Sequence, residues 1–213
     1  MSTARERYNK LSSNRHQFLD TAVECSKLTL PYLISRDNEA RNHKVIVTPW
    51  QSVGSKAVVT LAAKLMLALL PPQTTFFKLQ VREDKLGEDI TPEIRSELDL
   101  SFSKMERTIM ESIAASNDRV VVHQALKHLI VGGNALIFMG KDGLKHYPLN
   151  RFVVNRDGNG EVLEIITKES VSKELLNMKN FEPKPGNVQD ESSQHADEVD
   201  VFTHVKLDNG RWR

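Results

Sequence analysis

The chain has a single cysteine, Cys25, in 213 residues. No intrachain disulfide can form, so the fold rests on packing and hydrogen bonds, and a reducing compartment is the simplest setting. Aromatic residues make up only 6%. That is sparse for a single-strand nucleic-acid platform, which interleaves aromatics with basic residues. Phe76, Phe77 and Lys78 come nearest to that pattern and read as core packing. No charge sign dominates: 29 Lys and Arg stand against 28 Asp and Glu, for a net charge of +1. The charges are interleaved, which argues against the clustered basic face of a duplex-DNA binder. Long apolar runs are also missing. The longest, Val58–Leu70, contains Lys64 and falls well short of the roughly 20 apolar residues of a membrane-spanning helix. The opening MSTARERYNK is polar and has none of the apolar stretch of a secretory signal. A cytosolic protein, or one assembled in a cytosol, without a membrane partner, is the expectation.

What is present is a helical half followed by a β half. Tyr8, Leu11, Phe18, Ala22, Cys25, Leu28 and Leu30 recur at intervals of mostly three and four, predicting one helix over 4–34 that Pro31 kinks or ends. Residues 35–47 are polar and irregular. Thr48 and Pro49 offer a cap and a first helical residue. The helix they open carries Val58, Leu61, Ala62, Leu65, Met66 and Leu69 as one stripe predicted to be core, and Pro71–Pro72 stops it. Phe76–Val81 alternates as a strand does. Thr91–Pro92 repeats the cap signal before Ile94, Leu98, Phe102, Met105, Ile109 and Ile113. A further helix runs from Ser116–Asp118 to about Val131 and ends at Gly132–Gly133.

After Gly133 the pattern is β. Ala135–Met139, a turn at Lys141–Gly143, and Leu144–Leu149 make a hairpin. Phe152–Asn155 and Val162–Thr167 flank the tight turn Asp157–Gly160. Residues 168–178 are predicted to form a short helix, 180–198 a mobile loop, and Val199–Leu207 a strand. Asp208–Gly210 then opens a turn with no returning partner, so the chain reads as a piece of a longer protein. The expected fold class is α+β, with amphipathic helices packed on antiparallel hairpins. Its parts are an N-terminal helix and polar connection over 1–47, an α+β core over 48–179, the loop over 180–198, and the strand of an incomplete hairpin over 199–213.

Catalytic patterns are not found. The histidines are His16, His43, His123, His128, His146, His195 and His204. Of these, His123 and His128 are five apart, on different faces of a helix, and make a poor metal pair. There is no phosphate-binding GxxxxGK[ST], no GxGxxG and no GxSxG. Gly158-Asn159-Gly160 lies in a turn between strands, and Gly132–Gly133 follows a helix instead of opening one. Cys25 reads as a buried structural thiol. Glu83/Asp84 and Glu88/Asp89 read as solvated charge. Arg151 and Arg156 could meet a phosphate but read as surface. No catalytic, cofactor or metal residue is predicted, and the chain is not expected to be an enzyme.

Word-like segments carry the remaining information. TPWQSVGSKAVVTLAAKLMLALLPPQTTFFKL (Thr48–Leu79) is followed by Met105–Met110, RVVVHQALKHLIVGGN (Arg119–Asn134), Phe152–Asp157 and DVFTHVKLD (Asp200–Asp208). In order and approximate spacing they resemble the N-terminal part of portal (head-to-tail connector) proteins of short-tailed, coliphage-type bacteriophages. Leu70-Pro71-Pro72, where that family tends to carry an aromatic, and the 168–198 stretch depart from it. The resemblance implies a structural subunit of a twelve-membered ring at one capsid vertex, with these residues largely in its wing and the stem, clip and crown absent. It implies a virion protein assembled in the host cytoplasm. The implied partners are capsid and scaffolding proteins, terminase, tail adaptor and internal core proteins, and double-stranded DNA that passes through without sequence readout. A nucleic-acid-binding adaptor using Arg151 and Arg156 is the alternative.

Overall fold

A computed structural model of the chain describes residues 3–35, 48–72, 74–81, 91–141, 143–174, 198–208 and 210–212. Its helices are α1 (Ala4–Asn14), α2 (His16–Leu28), α3 (Val53–Leu69), α4 (Pro92–Ala115) and α5 (Asp118–Gly132). Strands β1 (Leu136–Gly140) and β2 (Gly143–Tyr147) form one antiparallel sheet. A short 3-10 helix (Leu149–Arg151) leads into β3 (Phe152–Arg156), β4 (Val162–Ser172), β5 (Glu198–Asp208) and β6 (Arg211–Trp212), an antiparallel sheet in that order. The α+β expectation holds.

The helix predicted over 4–34 is two helices. Thr3 and Glu6 form a reciprocal capping box at the start of α1: the Glu6 N–H donates to Thr3 Oγ1 at 3.2 Å and the Thr3 N–H to Glu6 Oε2 at 3.0 Å. Ser12, Ser13 and Asn14 then weaken the helix because their side chains compete for backbone groups; the Ser13 hydroxyl donates to the Asn9 carbonyl. Arg15 breaks the run at φ −99° and ψ 8°. Its guanidinium donates to the Leu149 carbonyl and sits 5.9 Å from the Phe152 ring centroid. The bend sends α1 toward β3 and β5 while α2 packs on α5. After α2, the buried Ser26 hydroxyl donates to the Leu30 carbonyl at 2.7 Å and accepts the Ile34 N–H at 3.1 Å. That pair closes the turn through Pro31.

Four other expectations change. The second predicted helix starts at Val53, with Ser52 rather than Thr48 at its cap position, so Thr48–Pro49 precedes the helix. A Cβ at Gly54 would lie 3.0 Å from the Leu28 carbonyl, so the start of α3 sits tight against the end of α2. Residues 76–81 pair with no strand among the described residues; the Leu79 N–H instead donates to Glu106 Oε1 of α4 at 2.6 Å. Residues 168–172, predicted helical, continue β4, where Lys168–Ser172 pair with Phe202–Glu198. Residues 175–178, and 180–197 of the loop predicted over 180–198, lie outside the described residues, while Glu198 already belongs to β5. Finally, β5 does have a returning partner: Leu207 and Asp208 pair with Trp212 and Arg211.

Two caps behave as read. Thr91 stands at the cap position of α4 with Pro92 in its first turn. Gly133 ends α5 in the left-handed region at φ 68°, its N–H bonded to the Leu129 carbonyl. The guanidinium of Arg119 closes the far end of α3, donating to the Leu70 carbonyl at 2.8 Å and the Pro71 carbonyl at 3.3 Å.

The core is divided by β3. Successive strand residues face opposite ways, and the fully buried Phe152 and Val153 each serve a different cluster. Phe152 packs with Ala22, Val23, Ile34 and Leu149. Val153 packs with Tyr8, Leu11 and Ile166, and Phe202 lies against them. Gly132 fits beneath the first cluster, where a Cβ would come within 2.9 Å of Ile34 Cδ1.

Candidate functional site

Three features stand out: a carboxylate hub, a pair of stacked imidazoles, and apolar surface left uncovered. The hub is Glu164 on β4. Its Oε1 accepts from Arg7 of α1 through both Nε, at 2.9 Å, and Nη2, and from Asn155 Nδ2 of β3 at 2.9 Å. Its Oε2 lies 3.0 Å from His204 Nε2 of β5. One side chain thus ties a helix and three strands. The Arg7 hydrogen bonds hold its carboxyl below the usual carboxylate range; burial opposes this, and His204 and Asn155 reinforce it. The same contact raises Arg7. A sequence reading could not find this hub, because its members are scattered from residue 7 to residue 204.

The stacked pair is His128 of α5 and His146 of β2, with ring centroids 4.3 Å apart. The sequence reading weighed His128 against His123 and so missed His146, which only the docking of β2 on α5 brings near. Burial and then the facing ring push His128 down to about 4; burial lowers His146. Both rings are therefore neutral at pH 7. Among the described residues no group of three or more His, Cys, Asp or Glu is arranged to hold a metal.

The uncovered surface is the largest feature. α4 fully buries none of its 24 residues: on its apolar stripe Ile94, Met105 and Ile109 are exposed and Leu98, Phe102 and Ile113 half-buried, and Leu100 is exposed on another face. On β1, Ile137, Phe138 and Met139 are exposed in succession, Met139 to 80%. The α3 stripe predicted as core is only partly so: Val58 and Ala62 are buried, whereas Leu61 and Leu69 are exposed, as are Val59 and Leu67 beside them. Isolated exposed apolar residues are ordinary, but contiguous ones mark surface that meets something else.

The remaining sequence candidates disperse. Cys25 is exposed, so the buried-thiol reading is corrected: the chain turns Ala22, Val23 and Ser26 inward instead. Arg156 donates to the Gly160 carbonyl of its own turn, while exposed Arg151 acts on Glu169, so the two do not form one phosphate clamp. Gly158–Gly160 lie in the turn expected of them, with the Asp157 carboxylate accepting the Asn159 and Glu161 N–H groups. Phe76 and Phe77 meet edge to face at 5.2 Å and Phe76 is exposed. His16 pairs with Asp20 at 2.9 Å. His43, His195, Glu83, Asp84, Glu88 and Asp89 lie outside the described residues. No described helix is long and apolar enough to cross a membrane.

Comparison with known proteins agrees with the segment resemblance. A family model described as bacteriophage head to tail connecting protein matches residues 1–213. The chain is similar to the portal protein of Enterobacteria phage T3, 35% identical over 216 residues, covering 96% of this chain and 39% of that relative. The portal protein of Escherichia phage T7 is 33% identical over 96% of the chain and 39% of the relative. That of Enterobacteria phage SP6 is 30% identical over 97% and 40%. The chain therefore spans about two fifths of the length of these relatives.

Proposed function

The chain belongs to the bacteriophage head to tail connecting protein family, and from that premise we propose that it is the N-terminal, wing-like part of a portal subunit that joins phage head to tail. The observation that carries the reading, beside the family match, is α4. A helix of 24 residues with no fully buried side chain and an apolar stripe along it is unfinished as part of a monomer. Its length, about 36 Å at 1.5 Å per residue, suits an extended protein–protein contact. A closed ring of subunits is the arrangement that covers such surface on every copy with the same contact. We infer twelve subunits, a position at one capsid vertex in the virion, and contacts with capsid, scaffolding, terminase, tail adaptor and core proteins.

The charge balance supports a role in which DNA passes without being gripped. With a net charge of +1, this part of the subunit offers no net excess of cations to replace phosphate counterions, so DNA affinity is weak and only shallowly dependent on salt. No step of chemistry is assigned to the chain. DNA movement during packaging is supplied by a separate motor protein docked on the ring.

The test is assembly. A full-length portal bearing this sequence forms closed rings in negative-stain electron micrographs. Monomers alone at high protein concentration would overturn the proposal. Replacing Met105 and Ile109 together by Glu should reduce ring yield while leaving the thermal midpoint of the chain within a few degrees, because neither side chain is buried.

A further inference from the structure

The β1–β2 hairpin is a sheet of its own and shares no ladder with β3–β6. Leu136 of β1 and Tyr147 of β2 pack against the Phe152 cluster, and β2 adds three polar or ring contacts. The Leu144 N–H donates to Asp118 Oδ1 of α5 at 2.8 Å, Lys145 Nζ donates to Glu169 of β4 at 2.5 Å, and the His146 ring lies on His128. The stacked rings are the one tie among these three built from groups that titrate near neutrality when solvated.

The setting of the rings is unsuited to protons. His128 is buried, and both its Nδ1 and Nε2 of His146 are enclosed with no hydrogen-bond partner. On α5, Nε2 of His123 is enclosed in the same way. A proton on an enclosed nitrogen would be a donor without an acceptor. Protons on both rings would set like charges 4.3 Å apart between centroids.

Nearby charge does not relieve this. Lys127 of α5 acts on His123 in the same direction as burial, against protonation. Lys145 of β2 is paired with Glu169 of β4, and Asp118 is used by the Leu144 amide. Of the other elements that pack on α5, α2 carries Glu24 and Lys27, α3 carries Lys56 and Lys64, and α4 carries Arg107 and Glu111. None of these makes an ion pair with His128 or His146, whose shifts come from burial and, for His128, from the facing ring.

We propose that the stacked His128–His146 pair is an acid-released latch that holds the β1–β2 hairpin on α5. When the hairpin lifts, the rings reach water and regain their ordinary basicity, so each proton they take up favours the open form. What is released with them is β1, the strand carrying exposed Ile137, Phe138 and Met139.

Amide hydrogen exchange on the 213-residue chain, corrected for the intrinsic pH dependence of exchange, tests the latch. For a ring at about 4 when closed and 6.5 when open, the opening constant of the Leu136–Tyr147 amides rises about 30-fold between pH 7.5 and pH 5. The amides of β3, β4 and β5 show no such rise. His128→Gln removes most of it, and so does His128→Phe, which keeps a ring in the site. Titration of the histidine ring signals in the unaltered chain checks the pair without any variant. His128 titrating near its ordinary value, a rise shared equally by both sheets, or a rise that persists in the variants would each overturn the proposal.

Discussion

Replacing Glu164 by Ala removes the acceptor that Arg7, Asn155 and His204 share. The loss lies between two limits. Exposed ion pairs contribute at most about 1 kcal/mol, while breaking a fully buried pair costs about 3–5 kcal/mol. The Glu164 side chain is 11% exposed and that of Arg7 28%, so the pair sits nearer the buried limit but keeps some solvent screening. We expect about 2–3 kcal/mol at pH 7, or a fall in Tm of about 5–10 °C for a chain of this size. Glu164→Gln keeps an acceptor without the charge and should lose about half as much. The sign of the pH dependence follows from the direction of the shift. Glu164 is held below its ordinary 4.5 in the folded chain, so its stabilisation is complete above that value and disappears as pH falls through the folded pKa. Urea unfolding followed by circular dichroism at pH 7 and across pH 5 to 3 measures both effects. Stability should fall less steeply with acid in the Ala variant than in the unaltered chain. A loss below about 0.5 kcal/mol at pH 7, the size of an ordinary surface substitution, would refute the reasoning; so would identical acid slopes.

Gly132→Val should cost about 1–3 kcal/mol by forcing Ile34 and Leu149 aside, read as a lower urea midpoint with an unchanged slope. Ser26→Ala leaves the buried Ile34 N–H without its acceptor and should cost about 1–3 kcal/mol by the same measurement. Thr3→Ala dissolves the capping box and should cost about 1 kcal/mol, with faster amide exchange confined to the first turn of α1.

Helix and hairpin existence was legible because it rests on local chemistry. Thr91–Pro92, Gly133 and Asp157–Gly160 each specify backbone geometry locally, through the fixed φ of Pro92, the missing Cβ of Gly133 and the Asp157 carboxylate, and each sits where it was expected. The missed features depend on partners distant in sequence. Arg15 divides α1 from α2 because its guanidinium finds the Leu149 carbonyl 134 residues away. Phe76–Val81 has the alternation of a strand, but alternation supplies no neighbour, and the Leu79 amide found the Glu106 carboxylate instead. Residues 168–172 continue β4 because β5 lies alongside them, a partner that no local pattern announces. The Glu164 hub and the His128–His146 stack were beyond reach for the same reason.

Periodicity has a further limit, and it bears on function. The apolar stripes of α3 and α4 look alike in sequence, each repeating at intervals of three and four. In the folded chain α3 buries Val58 and Ala62, whereas α4 buries no residue fully: Leu98, Phe102 and Ile113 are half-buried, and Ile94, Met105 and Ile109 are exposed. A 3.6-residue period says only that a face is meant to leave water. It does not say whether the cover comes from the same chain. That distinction separates a core helix from an assembly helix, and it emerges only when the available intrachain partners have been used up. Here α5 packs on α2, α3 and β2 and meets α4 only slightly, and its small residues Ala125 and Gly132 are among the buried set. α4 is left over. The partly uncovered stripe is therefore the structural fact most directly tied to membership of a family named for joining one assembly to another.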